Sequence, residues 1–191
     1  CGGASAASSD PIAQNRKSNE YDLDNGQTRI SEEEARVAIA SGKAKNVILF
    51  VGDGMGVSTV TAARIFDGQM QSKDGESNSL YMEKLPYLAM SKTYSVNQQT
   101  ADSAPTMTAM VTGVKTKESF LSTVSGIKKN DPAGCAETNR LGTIAELAEV
   151  AGMSTGVVST ARITHATPAA VYAHTPNRDA ESDKDQTDLI T

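Results

Sequence analysis

A glycine-rich segment with one carboxylate is the first place where this sequence could do chemistry. The run NVILFVGDGMG, residues 46–56, is apolar up to Val51 and then carries glycines at positions 52, 54 and 56 around Asp53. Open α/β sheets bind ligands at the carboxyl ends of their strands, and glycines there allow close approach. Asp53 would repel a phosphate unless a cation lay between them, so Asp53 is a candidate ligand of a divalent metal. The alternative is a turn in which Asp53 only caps the following helix.

A second segment, TADSAPTMTAMVTGVKT, residues 100–116, places Ser103 at the start of a predicted helix. Backbone N–H groups and the helix dipole favour negative charge at that end, so Ser103 could act as a nucleophile that carries a phosphoryl group. No histidine lies near Ser103 in the sequence, which favours a metal as its activator. For this motif alone, an ordinary serine in a first helical turn is the more common explanation.

Predicted helices and strands alternate along the chain. This alternation favours an α/β fold with a mostly parallel sheet flanked by helices. Capping residues and glycines set the helix ends: Ser31 and Glu34 have the spacing of a capping box, Asp102 can cap the helix that Gly113 ends, and Gly68 is expected to end another. The predicted helices span 31–42, 57–68, 102–113 and 143–152, and the predicted strands span 46–51, 85–96 and 154–160.

Composition bounds the class of protein. The chain has 191 residues, enough for one domain with a core, and its net charge of −5 does not favour a nucleic acid as a specific partner. No run approaches the roughly 18 apolar residues of a membrane span. Aromatic residues make up 4% and tryptophan is absent, so the core is expected to consist of Val, Ile, Leu, Met and Ala.

The ends of the chain suggest how it is organised. It begins with Cys1 and the small-residue run CGGASAASSDP, so we expect residues 1–30 to be a flexible tether and 31–191 to belong to the α/β domain. A lipidated Cys1 would give a periplasmic or cell-envelope protein; an arbitrary truncation is the alternative. The two cysteines could pair, but with Cys1 lipidated Cys135 would be an unpaired thiol. A helical pattern that runs to Thr191 predicts an N-terminal piece of a longer protein.

Three segments together resemble the alkaline phosphatase family in order and spacing. They are NVILFVGDGMG, DSAPTMTAMVTGVKT and GVVSTARITHATPAAVYAHTPNR, the last covering residues 156–178. The resemblance runs from about residue 46 to residue 178. It implies an alkaline-phosphatase-like α/β domain, incomplete in this chain, with two Zn²⁺ ions and one Mg²⁺ ion. It also implies a homodimer.

The resemblance assigns roles by position. Asp53 matches the aspartate that bridges one zinc and the magnesium, and Thr167 matches a magnesium ligand. Ser103 matches the serine that takes the phosphoryl group and contacts the metal. Arg178 matches the arginine that binds two phosphate oxygens, a task suited to its planar guanidinium. Asp102 matches the residue that helps to hold that arginine.

Each of the two histidines has two alternative roles. Some family members carry Asp and others His at the position of His165, and with His the magnesium binding is expected to be altered or water-mediated. A hydrogen-bonded group behind the metal ligands is an equal alternative for His165. His174 is expected to pack or hydrogen-bond within the fold, with a direct metal role less favoured. Most zinc ligands of the family lie in its C-terminal half, so we expect this chain alone not to turn over.

The resemblance implies a hydrolase of small phosphomonoesters. Ser103 would form a phosphoserine, which a zinc-bound water would hydrolyse. Alternatives are a phosphodiesterase or sulfatase-like member of the same superfamily, although the formylglycine motif of sulfatases is not seen. A further alternative, from a different class, is a non-catalytic phosphate-binding lipoprotein, against which Ser103 and Arg178 argue together.

Overall fold

A computed structural model describes residues 45–185 of the chain. Residues 46–92 form one compact unit, and a second unit contains Lys45 and residues 93–185. The predicted tether over 1–30 and the helix predicted over 31–42 lie outside the described residues. Within the described range, no helix is long and apolar enough to cross a bilayer.

The first unit is built on helix α1, Val57–Met70. Its predicted end at Gly68 is wrong, because the helix continues for two more residues. Gly68 is buried, and a Cβ atom at this position would lie 2.8 Å from the carbonyl oxygen of Asp74. A Cβ atom at Gly75 would lie 2.5 Å from the Cα of Ile65. These glycines therefore let the following loop approach the helix closely, and neither ends it.

Polar contacts attach the rest of this unit to α1. The side-chain amide of Asn78 donates to the carbonyl oxygen of Arg64 at 3.0 Å and to Oδ2 of Asp67 at 2.6 Å. A 3₁₀-helix, Tyr81–Lys84, follows the loop, and Arg64 pairs with its Glu83 at 3.0 Å. Both sets of contacts connect residues that follow α1 to the helix itself.

The second unit is centred on helix α2, Ser103–Thr112. This helix packs against α3, Ile144–Val150, and against the short helix α4, Ala166–Ala169. The buried apolar side chains are mostly aliphatic, as predicted, with one phenylalanine among them. They are Ala104, Met107, Val111, Val114, Phe120, Leu121, Leu141, Ala166, Ala169 and Ala170.

Gly113 ends α2 as predicted, and a capping box that was not predicted begins α3. Gly113 ends α2 in the left-handed conformation, with φ of +76°, and its N–H donates to the carbonyl oxygen of Ala109. Helix α3 begins with a reciprocal capping box between Thr143 and Glu146. It ends at Val150, just before the predicted end at Gly152.

The predicted strands are not paired within the part of the chain that is described. Residues 46–51, 85–91 and 154–159 have no strand or helix assignment, and their apolar side chains are exposed: Phe50 by 89%, Leu88 by 95% and Val158 by 100%. A strand needs a neighbour to bond its N–H and C=O groups, and the described residues show no strand pairing for these three segments. The parallel sheet therefore stays a prediction.

The stretch 114–140 contains two 3₁₀-helices, Pro132–Cys135 and Glu137–Asn139. Isolated antiparallel bridges join Leu121 to Thr175 and Thr123 to Arg140. Cys135 is disulfide-bonded, so the prediction of an unpaired thiol there is wrong. Cys1, the other cysteine of the chain, lies outside the described residues.

Candidate active site

The N-terminus of α2 carries the predicted nucleophile. Ser103 is the first helical residue and Asp102 occupies the N-cap position, but the carboxylate of Asp102 makes no capping hydrogen bond. Its Oδ2 instead accepts from Nη1 of Arg178 at 2.9 Å, and its Oδ1 accepts from the N–H of Ser119 at 3.4 Å. The predicted N-cap position of Asp102 is confirmed, but the prediction that its side chain caps the helix is wrong. The carboxylate is used to hold the arginine.

Arg178 contacts three of the predicted residues of this unit. Its Nη1 also donates to Oγ of Ser103 at 3.0 Å, and its Nη2 lies 3.2 Å from Nε2 of His165. The side chains of Arg178 and Asp102 are 21% and 24% exposed. Their attraction is therefore screened by solvent less than in a fully exposed pair. Residues 75 positions apart in the chain thus form one cluster of nucleophile, guanidinium and carboxylate.

The backbone around Arg178 is fastened to the segment that follows α2. The N–H of Arg178 donates to the carbonyl oxygen of Ser119 at 2.7 Å, and Leu121 and Thr175 exchange backbone bonds of 2.9 and 3.0 Å. The side-chain amide of Asn177 donates to Oδ1 of Asn130 at 2.6 Å. Ser119 is not among the residues predicted from the sequence, because no spacing or motif marks it.

His165 and Thr167 lie at the start of α4. His165 is the N-cap residue, its carbonyl oxygen accepts from the N–H of Ala169 at 2.9 Å, and Thr167 is a half-buried residue of the helix. The contact of His165 with Arg178 matches the alternative of a hydrogen-bonded group. The magnesium role of Thr167 stays a prediction.

A second ion pair ties the residues before His165 to those after Arg178. Nε of Arg162 donates to Oε2 of Glu181 at 2.6 Å, Nη2 of Arg162 donates to Oε1, and the hydroxyl of Thr164 donates to Oε2 at 2.5 Å. The hydrogen bonds from Arg162 and Thr164 lower the pKa of Glu181 to about 2. Glu181 is therefore ionised at any pH near neutrality.

His174 is hydrogen-bonded within the fold, as predicted. Its Nδ1 lies 2.8 Å from the carbonyl oxygen of Ser122, and its Nε2 lies 2.8 Å from Oε1 of Glu146. Burial raises the pKa of Glu146, but the hydrogen bonds from His174 and Thr143 outweigh it, and the net pKa is lowered. His174 thus links the start of α3 to the segment between Leu121 and Thr123.

Asp53 belongs to the other unit and is described there by itself. It lies with Gly54 in an exposed turn, Gly54 has φ of +66°, and the N–H of Gly56 donates to the carbonyl oxygen of Gly54 at 3.0 Å. The N-cap position of α1 is Gly56, three residues after Asp53. Asp53 therefore does not occupy that cap, which was the alternative to a metal-binding role.

The described residues contain no group of three His, Cys, Asp or Glu side chains that could hold a metal ion. The carboxylate, imidazole and hydroxyl groups predicted as metal ligands are suitable donors by type. They do not by themselves form a complete metal centre within residues 45–185.

Comparison with known proteins agrees with the three sequence segments. The family model described as alkaline phosphatase matches residues 44–189. The tissue-nonspecific alkaline phosphatase of Gallus gallus is 49% identical over 140 residues, covering 73% of this chain and 27% of that protein. The alkaline phosphatase of Gadus morhua is 49% identical over 143 residues, covering 75% and 30%. The chain therefore spans less than a third of the length of these relatives.

A solved structure supports the same assignment. The cold-active alkaline phosphatase of Shewanella sp. superposes with a TM-score of 0.56 at 30% identity, covering 73% of this chain and 32% of that one. This similarity extends to the arrangement of the backbone.

Proposed function

Because the chain belongs to the alkaline phosphatase family, we propose that the protein hydrolyses small phosphate monoesters through a covalent phosphoserine at Ser103. The main support for this proposal is the contact between Arg178 and Ser103. One guanidinium group bonds the hydroxyl of Ser103 at 3.0 Å and the carboxylate of Asp102 at 2.9 Å. A phosphoryl group at Ser103 would therefore lie next to a fixed, planar cation.

Two features of the second unit would stabilise the phosphoryl group. The first is the N-terminus of α2, where the N–H groups of Ser103 and Ala104 have no partner within the helix. The second is Arg178, whose two terminal nitrogens can donate to two phosphate oxygens at once. Asp102 would keep the guanidinium oriented toward the phosphate oxygens.

The chemistry follows from this arrangement in two displacements. In the first, Oγ of Ser103 bonds to phosphorus, loses its proton, and the ester oxygen leaves as the alcohol. In the second, water bonds to the same phosphorus, the Oγ–phosphorus bond breaks, and phosphate leaves with Ser103 regenerated. Arg178 would bind the non-bridging oxygens in both steps.

The proposal includes metal ions on the basis of the family resemblance. In this proposal the intact protein binds two Zn²⁺ and one Mg²⁺, and this chain contributes Asp53, Ser103, Thr167 and His165 as ligands. When bound, such ions lower the pKa of a hydroxyl or a water and neutralise phosphate charge. The donors within residues 45–185 do not complete a site, so the two displacements above are derived for Ser103, Asp102 and Arg178 alone.

The surroundings of the protein are also a proposal. We place it in the periplasm or cell envelope, as a homodimer with residues 1–30 as a tether and residues 31–191 in the α/β domain. The thiol of Cys1 can carry a lipid or form a disulfide, but it cannot do both. Mass spectrometry of the N-terminal peptide, purified without reductant, distinguishes these states, and a free or disulfide-bonded Cys1 would reject the lipid anchor.

The covalent step is tested by trapping the phosphoenzyme. The intact protein is incubated with radiolabelled phosphate and quenched in acid. We expect label on the wild-type protein and on Ser125→Ala, a control outside the cluster, and none on Ser103→Ala. Residual hydrolysis by water without Ser103 would leave activity that is small but measurable. Label retained by Ser103→Ala would contradict the proposal.

A further inference from the structure

Ser119 has an unusual conformation and an unusual place. It is buried, it is not a glycine, and its φ is +68°, in the left-handed region that costs energy for residues with a Cβ atom. Such conformations persist where the surrounding structure holds them, and they concentrate at functional sites. Ser119 follows α2 in the chain and contacts Arg178 through its backbone.

The two backbone groups of Ser119 contact both members of the central ion pair. Its N–H donates to Oδ1 of Asp102 at 3.4 Å, and its carbonyl oxygen accepts from the N–H of Arg178 at 2.7 Å. One residue therefore spans from the N-cap of the nucleophile helix to the loop that carries the arginine. A change of its φ to a negative value would turn one of these groups away.

The side chain of Ser119 is held as well. Its Oγ accepts from Nζ of Lys129 at 3.2 Å. Two further non-glycine residues with positive φ support the same region. Asn130, with φ of +63°, accepts from the amide of Asn177, next to Arg178. Ser122, with φ of +43°, donates from its hydroxyl to the carbonyl oxygen of Ala170 at 2.6 Å.

We propose that Ser119 is a positioning residue for phosphate binding: its left-handed backbone sets the separation and orientation of Asp102 and Arg178. This inference rests on the proposed function, because it assumes that Arg178 binds phosphate. The residue does not touch substrate. It acts through the two groups that its N–H and its carbonyl oxygen contact.

The test compares substitutions that differ in their tolerance of positive φ. Ser119→Gly and Ser119→Ala both lose the hydroxyl, but only glycine adopts positive φ freely, and valine tolerates it least. We expect the affinity for inorganic phosphate to fall less than about twofold for glycine, about threefold for alanine and about tenfold or more for valine. Calorimetric titration of the intact protein with phosphate measures this without turnover.

Two controls separate positioning from a general loss of stability. Ser72→Val places the same substitution at an exposed residue with φ of +58° in the other unit, and phosphate affinity should not change. The melting temperature is measured for every variant. If Ser119→Val does not fold, the comparison of alanine with glycine carries the test.

The outcomes are distinct. Equal phosphate affinity in the glycine, alanine and valine variants would overturn the positioning role, as would a lower melting temperature in the alanine and valine variants with unchanged affinity. A wild-type protein that forms no phosphoenzyme and binds no phosphate would instead reject the proposed function.

Discussion

Removal of the Arg178 side chain is the most direct perturbation of the candidate site. In Arg178→Ala, Ser103 loses a donor at 3.0 Å and the partly buried carboxylate of Asp102 loses its cation at 2.9 Å. A bound phosphate would lose two charge-assisted bonds and would lie beside an uncompensated carboxylate. We expect KM and the inhibition constant for phosphate to rise together, because the arginine would bind substrate and product alike.

The size of the effect follows from the contacts. Hydrogen bonds to charged groups contribute about 1.5–3 kcal/mol each, and the N-terminus of α2 would still bind part of the phosphate charge. The net loss should therefore be at the low end, about tenfold to a hundredfold in kcat/KM. Arg178→Lys should recover only part of it. A single ammonium group cannot contact Asp102, Ser103 and two phosphate oxygens at once, as the planar guanidinium group of arginine could.

Steady-state kinetics with a small aryl phosphate, repeated at several concentrations of inorganic phosphate, measures both constants. Arg64→Ala is the matched control, since Arg64 also pairs with a carboxylate at 3.0 Å but belongs to the first unit. Its kinetic constants should change less than about twofold. If Arg178→Ala left KM and phosphate inhibition unchanged, the contact with Ser103 would have no part in phosphate binding.

Three further predictions concern Asp102, Glu146 and Gly75. Asp102→Ala should free the guanidinium and weaken inhibition by phosphate about threefold to tenfold. The kcat should be unchanged, or raised when product release is limiting. Stopped-flow and steady-state kinetics measure the inhibition and the kcat. Glu146→Gln keeps an acceptor for the capping box but loses the charge facing His174. It should lower the free energy of unfolding at pH 7, measured by urea denaturation, by about 1 kcal/mol, a value reduced because the Glu146 side chain is 41% exposed. Because the pKa of Glu146 is lowered in the fold, its contribution is complete above its ordinary pKa of 4.5 and is lost as the pH falls below that value, so the two proteins should converge in acid. Gly75→Ala should destabilise the first unit by about 1–3 kcal/mol, since its Cβ would meet the Cα of Ile65, whereas Gly126→Ala, with open space around it, should change the unfolding free energy by less than about 0.5 kcal/mol.

Local patterns in the sequence were enough to place helices α1, α2 and α3. Gly113 marks the end of α2 by its own backbone conformation, and the structure places α2 and α3 within two residues of their predicted bounds. The three motifs that resemble alkaline phosphatases also identify the family without any coordinates. Each of these signals depends on residues close together in the chain.

The uses of Gly68, Asp102 and Ser119 were decided by the tertiary structure. Gly68 looked like a helix end, yet it allows a loop to approach, which depends on residues 74 and 75 folding back. Asp102 looked like a capping side chain, yet its carboxylate bonds to an arginine 76 residues away, because a charged partner outcompetes backbone N–H groups. Ser119 carries no sequence signal, since its role lies in its backbone conformation and in two partners distant in sequence. The predicted sheet has the same dependence: strands 46–51, 85–96 and 154–160 can exist only with neighbours, and local sequence does not specify those neighbours.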